Sequence, residues 1–262
     1  MVYNATMFHL EDFILIVAAF CAGALNSIAG GGSFITFPTL LFYGIPPVLA
    51  NATNTVALFP GTLTAAWAYR KEFTRIKGIG VMTALGISLT GGLLGAWILL
   101  KTPESSFAVM IPYLLLCATL LFTFGKKISQ WLHAHYNISQ TAILTGLFLT
   151  AVYGGYFGGG ASILILALLS LMGMENVNSM NSAKTALVAY FNSIAVALFI
   201  ASDSVHWHAA LIMMLGTTTG GFAGAFWARK TNQKVLRNII SLVGASLCIY
   251  YFCKTYHIGL LK

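Results

Sequence analysis

A lysine in an apolar stretch is costly, and Lys184 lies six residues after Asn178 in such a stretch. On insertion scales a cation at the centre of a bilayer span costs about 2.5–3.5 kcal/mol. Asn181, Ser182 and Thr185 surround it, and a glycine triplet, Gly158, Gly159 and Gly160, precedes it with Ser162 close behind. The first half of the chain carries the matching set: Asn26 and Ser27, the triplet Gly30, Gly31 and Gly32, then Ser33, and further on Asn51, Asn54 and Thr55. Glycines at a break expose backbone N–H groups, and a helix that begins after the break turns its positive end toward the gap. With one cation and a ring of hydroxyls and amides, this chemistry suits a small anion. Each feature has a plainer reading. Three glycines let helices pack closely, and a lysine near a helix start can snorkel to the interface.

Other chemistries fit less well. Glu11, Asp12, Glu72, Glu104, Glu175 and Asp203 fall at segment ends or in loops, so no carboxylate is placed to hold a cation at mid-depth. Neither glycine run is followed by Gly-Lys-Ser/Thr, so no nucleotide loop is expected. His133 and His135 form a His-x-His pair without a third ligand nearby, which reads as a solvated loop rather than a metal site. Cys21, Cys117, Cys248 and Cys253 sit in apolar segments without ligand spacing and read as small core residues. Gly160-Ala161-Ser162, with His206 or His208 as base, gives a faint intramembrane-hydrolase reading. Against it, Ile163 follows and Gly32-Ser33 repeats the serine without an equivalent histidine. His206 and His208 flank Trp207 and read more simply as interface residues, proton coupling being the alternative. No cofactor is expected.

These residues need a membrane to make sense of their surroundings. The chain is 58% hydrophobic and 8% charged, against about 25% charged in soluble domains. Its formal charge of +8 lies in short clusters between apolar runs, which points to anchoring at a membrane face and not to nucleic acid. Apolar segments are expected at 13–28, 34–43, 48–69, 78–100, 105–124, 141–157, 162–172, 178–201, 206–228 and 235–251. A kink is expected at Pro60-Gly61. The second and seventh segments cover only about half of the roughly 30 Å hydrocarbon core. They are either tilted crossings or the returning arms of hairpins with glycine tips.

The halves repeat each other. The glycine triplets are offset by 128 residues, Gly91-Gly92-Leu93-Leu94-Gly95 and Gly220-Gly221-Phe222-Ala223-Gly224 by 129, and Asn51 and Asn181 by 130. Three ordered matches at nearly constant offset argue for an internal duplication. The glycine pairs four apart within these matches read as helix-packing contacts. The basic clusters at 70–77, 126–127 and 229–237 fall on one face when each half has five segments. The loop at Arg70 corresponds to the cation-free 202–205, and the loop at Lys101 to the basic one at Arg229. Charge therefore alternates between equivalent loops, as inverted repeats require. The expected architecture is an all-α polytopic membrane protein of two inverted repeats of about five segments. They occupy 1–125 and 141–262, with a cytoplasmic linker at 126–140 and both termini outside.

The duplicated halves, the Asn-Ser-Ile-Ala-Gly-Gly-Gly-Ser stretch from Asn26, Ala52-Thr53-Asn54 and the Gly-Gly-x-x-Gly-Ala repeats resemble the TauE/SafE family. The resemblance covers nearly the whole chain. It implies a membrane permease that exports sulfite, sulfonates or related organic anions. Family members often carry Lys directly after the Ala-Thr-Asn motif, where this chain has Thr55. The expected function is carrier-mediated transport of a small sulfur-containing or organic anion across the cell (plasma or inner) membrane. A channel is the alternative. The implied partners are that anion and the lipid bilayer; the sequence does not fix an oligomeric state.

Overall fold

In a computed structural model the chain is described at residues 10–73, 79–135, 138–174, 176–228 and 233–256. Residues 74–77 and 229–232 of the basic loops, and Glu175, lie outside the described residues, as do the side chains of Lys126, His133, Lys234 and Arg237. Among the described residues ten α-helices follow one another: α1 (Leu10–Ile28), α2 (Ser33–Phe42), α3 (Pro47–Ala68), α4 (Val81–Lys101), α5 (Glu104–His135), α6 (Gln140–Tyr156), α7 (Ala161–Leu171), α8 (Val177–Ala201), α9 (Trp207–Trp227) and α10 (Gln233–Thr255). Each apolar segment read from the sequence is a helix, with ends within a few residues except in α5. There Gly125 does not stop the helix, and most of the stretch expected as a loop, 126–135, is a continuation of α5. Its residues include no proline and favour helix well enough to extend it.

Among the described residues five helices are long and apolar enough to cross a membrane: α1, α4, the first 22 residues of α5, α8 and α9. Large apolar side chains face outward, Met82 at 79% exposure, Leu242 at 70% and Trp67 at 64% among them. A surface of that composition belongs in lipid, and the chain is a multi-pass membrane protein. The cysteines divide differently from the expectation. Cys248 is buried beside Thr119, but Cys21 and Cys117 are exposed on the apolar outer face, and all four are free. A thiol suits a lipid-facing position as readily as a core.

α9 packs against α1 and α3, and α4 packs against α6 and α8, so each group draws one helix from the other half of the chain. Glycines make these contacts close. A Cβ on Gly91 would meet Ala151 Cβ at 2.7 Å and one on Gly95 would meet Tyr156 N at 2.8 Å; at Gly224 it would meet Ala24 Cα at 2.5 Å. The glycine pairs four apart are therefore packing faces. α3 and α8 join the two groups. α5 and α10 lie antiparallel beside them, Tyr113 meeting Tyr256 near one end and Thr123 meeting Ser241 further along.

α7 runs alongside α5 in the same direction. Gly160 faces Ala118, Gly125 faces Ile163, and Ser129 donates to Ala167 O. It thus heads back toward the end where α5 finishes and α6 begins. α2 follows α10 likewise, Phe34 lying by Gly244 and Phe42 by Tyr250. A Cβ on Gly32 would meet Ala22 O at 2.6 Å, so after the break the chain returns beside α1. Because α5 and α10 are antiparallel, α2 and α7 run in opposite directions. In both halves the short helix turns back beside the helix before it, so helix, glycine break and short helix form a hairpin with the glycines at its tip.

Candidate functional site

Both breaks are built on backbone that only glycine adopts easily. Gly30, Gly31, Gly158 and Gly160 have φ of 79°, 96°, 78° and 82°. The two hairpin tips touch: a Cβ on Gly30 would meet Ser162 Cβ at 2.5 Å. Neither short helix has a side-chain N-cap. The amide N–H groups of Gly31, Gly32 and Ser33, and of Gly159, Gly160 and Ser162, have no hydrogen-bond acceptor among the described residues. Orphan donors at a helix start ordinarily find a partner, so these are available to a ligand.

Lys184 reaches into the same region. It is 1% exposed, and Nζ donates to Asn26 O and Ser27 O, both at 3.1 Å. It does not snorkel. The ammonium sits on the last carbonyls of α1, at the negative end of that helix, and one of its three N–H donors is left over. Asn51 does the equivalent for the other break, with Nδ2 donating to Tyr156 O at 2.8 Å at the end of α6. Asn54 holds the start of α2. Its Nδ2 donates to Ser33 Oγ at 3.2 Å, and its Oδ1 accepts from Thr36, whose hydroxyl also bonds Gly32 O. Asn26 Nδ2 donates to Thr62 Oγ1 at 3.4 Å.

The remaining residues singled out in the sequence separate. Thr55 and Thr185 donate to the carbonyls of Asn51 and Asn181 one turn back, so their hydroxyl protons are spent within their own helices. Ser182 donates to Tyr69 O, tying α8 to the end of α3. Ser27 Oγ, Asn51 Oδ1 and Asn181 Nδ2 are buried with no hydrogen-bond partner among the described residues. Buried polar atoms are rarely left so. Three contributors were not anticipated: Thr36, Tyr153, whose OH donates to Gly159 O at 2.6 Å, and the Tyr156 carbonyl. Thr36 follows Ser33 by three residues, the spacing that puts two side chains on one helix face, and that signal could have found it.

The serine hydrolase reading loses its base. His206 Nδ1 accepts from Ala209 N and so caps α9, the His206 backbone N–H donates to Thr53 Oγ1, and His208 pairs with Asp12 at 3.0 Å. Neither ring is bonded to Ser162. Where the breaks meet, a buried ammonium and unpaired amide donors lie close together, an arrangement whose chemistry is complementary to an anion.

The family profile for sulfite exporter TauE/SafE matches residues 15–251. The chain is 30% identical over 246 residues to a probable membrane transporter protein, ORF9, of Sinorhizobium sp, covering 92% of each chain. It is 30% identical over 237 residues to a probable membrane transporter protein of Haemophilus influenzae, covering 88% of this chain and 90% of that one. It is 29% identical over 238 residues to the probable membrane transporter protein YfcA of Escherichia coli, covering 88% and 86%. No solved structure matches the chain significantly.

Proposed function

The chain belongs to the sulfite exporter TauE/SafE family of membrane transporters, and from that premise we propose that it carries a small sulfur-containing or organic anion, such as sulfite or a sulfonate, by alternating access. The proposed site is the meeting point of the two breaks. Gly31, Gly32, Ser33, Gly159, Gly160 and Ser162 supply amide donors, Lys184 supplies charge, and Asn26, Ser27, Asn51, Asn54 and Asn181 line or position it. Gly30 and Gly158 supply the turns, while Ser182, Thr55 and Thr185 brace the flanking helices. The halves 1–125 and 141–262 are proposed to be inverted repeats joined through 126–140, with both termini outside the cell. Support comes from the paired helix contacts, in which α1 with α9 mirrors α6 with α4, and α5 with α7 mirrors α10 with α2.

The observation that carries the reading is Lys184, buried to 1% exposure with its ammonium on the carbonyls just before the first glycine break. A cation so placed is costly unless it has a task. A carrier is favoured over a channel because Asn51, Asn54, Asn181, Lys184 and Ser162 are all at most 6% exposed, as residues of an occluded site are. An inside-negative potential favours export by about 2.3 kcal/mol per charge per 100 mV, so no coupling ion is required. The test is uptake into proteoliposomes across sulfite, sulfate, sulfonates and carboxylates. Saturable uptake of one anion class is expected. Unitary currents would make it a channel, and absence of any anion flux would defeat the proposal.

A further inference from the structure

We propose that the carried species is a monoanion, and that the site's own charge excludes obligate dianions such as sulfate. This rests on the anion-carrier reading above and narrows it. Among the described residues the fully buried charged side chains are Lys184 and Asp12; Glu72, half-buried with one carboxylate oxygen out of solvent, lies in the Arg70–Glu72 turn beyond the end of α3. Asp12 lies at the other end of α1, paired with His208 and about 21 Å along the helix from Asn26. Lys184 is therefore the one formal charge at the centre among the described residues.

The helix ends do not add to it. Each break brings one helix C-terminus, of α1 or α6, against one N-terminus, of α2 or α7. Their partial charges, about half a unit each, oppose one another in pairs. What remains is one positive charge, an unspent N–H on Lys184 and neutral donors. The neutral donors include the unpartnered Asn181 Nδ2, on a side chain only 2% exposed, and the unpartnered Ser27 Oγ, on a residue 1% exposed whose carbonyl Lys184 already holds. Those two buried, unsatisfied atoms are independent signs that a ligand belongs here.

A monoanion brings this centre to neutrality. A dianion leaves one uncompensated negative charge in a dry interior, where an unpaired charge is far more costly than in water. Hydrogensulfite and organosulfonates without a second acidic group fit the condition; sulfate, fully deprotonated sulfite and carboxylated sulfonates do not.

The test uses the full-length protein in proteoliposomes at a clamped membrane potential. The reference monoanion is methanesulfonate or isethionate, whichever is taken up. Sulfate should compete with it on the order of a hundredfold more weakly than hydrogensulfite does. Sulfite uptake, normalised to the reference in the same vesicles, should fall about tenfold for each pH unit above the hydrogensulfite pKa. Normalisation removes any titration of the protein, since that acts on both ligands. Equal competition by sulfate, or normalised sulfite uptake that stays level or rises with pH, overturns the monoanion rule while leaving an anion carrier in place. Uptake of sulfate without any of the monoanions overturns the rule alone, and absence of uptake of methanesulfonate, isethionate, sulfite, sulfate and carboxylates alike overturns the carrier reading and the rule with it.

Discussion

Lys184 has two tasks that substitution separates. Its ammonium holds the last carbonyls of α1, and it supplies the charge proposed for the anion. Lys184→Met removes both. Two buried carbonyls lose a charged donor, so the folded protein should lose about 1–3 kcal/mol of stability. Anion binding to the detergent-purified protein should disappear. Wild-type affinity in a folded Lys184→Met protein would mean that the lysine only caps α1. Lys184→Arg keeps the charge but offers a planar fork in place of a compact ammonium, and should retain partial activity. Asn54→Leu tests a neutral neighbour. It releases Ser33 and Thr36 at the start of α2, so binding should weaken by roughly fivefold, the measure of a hydrogen bond worth about 1 kcal/mol. Titrating anion into each purified variant distinguishes the graded losses expected here from a uniform collapse.

At the scale of elements, two glycines of similar backbone should behave differently. Gly44 has φ of 85° with open space around it, so Gly44→Ala should cost only the strain of a left-handed backbone, about 1–2 kcal/mol, and leave transport intact. Gly30 has φ of 79° and lies against Ser162, so Gly30→Ala should also push the hairpin tips apart and abolish flux. Equal flux in the two variants, each corrected for folded protein by thermal melting, would remove the tip contact from the mechanism. Helix positions were legible in the sequence because apolar run lengths and glycine breaks mark them. The course of the short helices was not, since the direction of a short apolar segment is set by neighbours such as α5 and α10, which its own composition does not announce. The end of α5 was missed because a polar stretch reads as loop unless its helix propensity outweighs its composition. Within the site, Lys184 was legible as an anomaly but its partners were not. The acceptors are backbone carbonyls over 150 residues earlier, which no side-chain type announces. Asn51 and the Tyr156 carbonyl show the same limit.

For the whole molecule the decisive question is whether equivalent loops of the two halves face opposite sides of the membrane. Several contacts gather at one end of the bundle: Asp12 with His208, Tyr43 beside His206, and Glu104 accepting from Val48 N. Ser182 meets Tyr69 at the other, next to Arg70, which stacks on Trp67 at 4.1 Å. Basic residues favour the cytoplasmic side, so the Arg70 end should lie inside and the His206 end outside. Phe73 is 42% exposed after the 3₁₀ turn Arg70–Glu72, and Ser204 is partly exposed between α8 and α9. Single cysteines at these positions report the two ends, provided that the exposed native Cys21 and Cys117 are first replaced by serine. An impermeant thiol reagent added to intact cells should label the cysteine of Ser204→Cys and spare that of Phe73→Cys, which should react only once the membrane is opened. Phe73 and Ser204 occupy equivalent loops of the two halves, so opposite accessibility is what an inverted duplication requires of them. Labelling of both from the same side would mean that the halves are parallel repeats. The two glycine tips could not then approach from opposite faces, and alternating access around a central Lys184 would lose its structural basis.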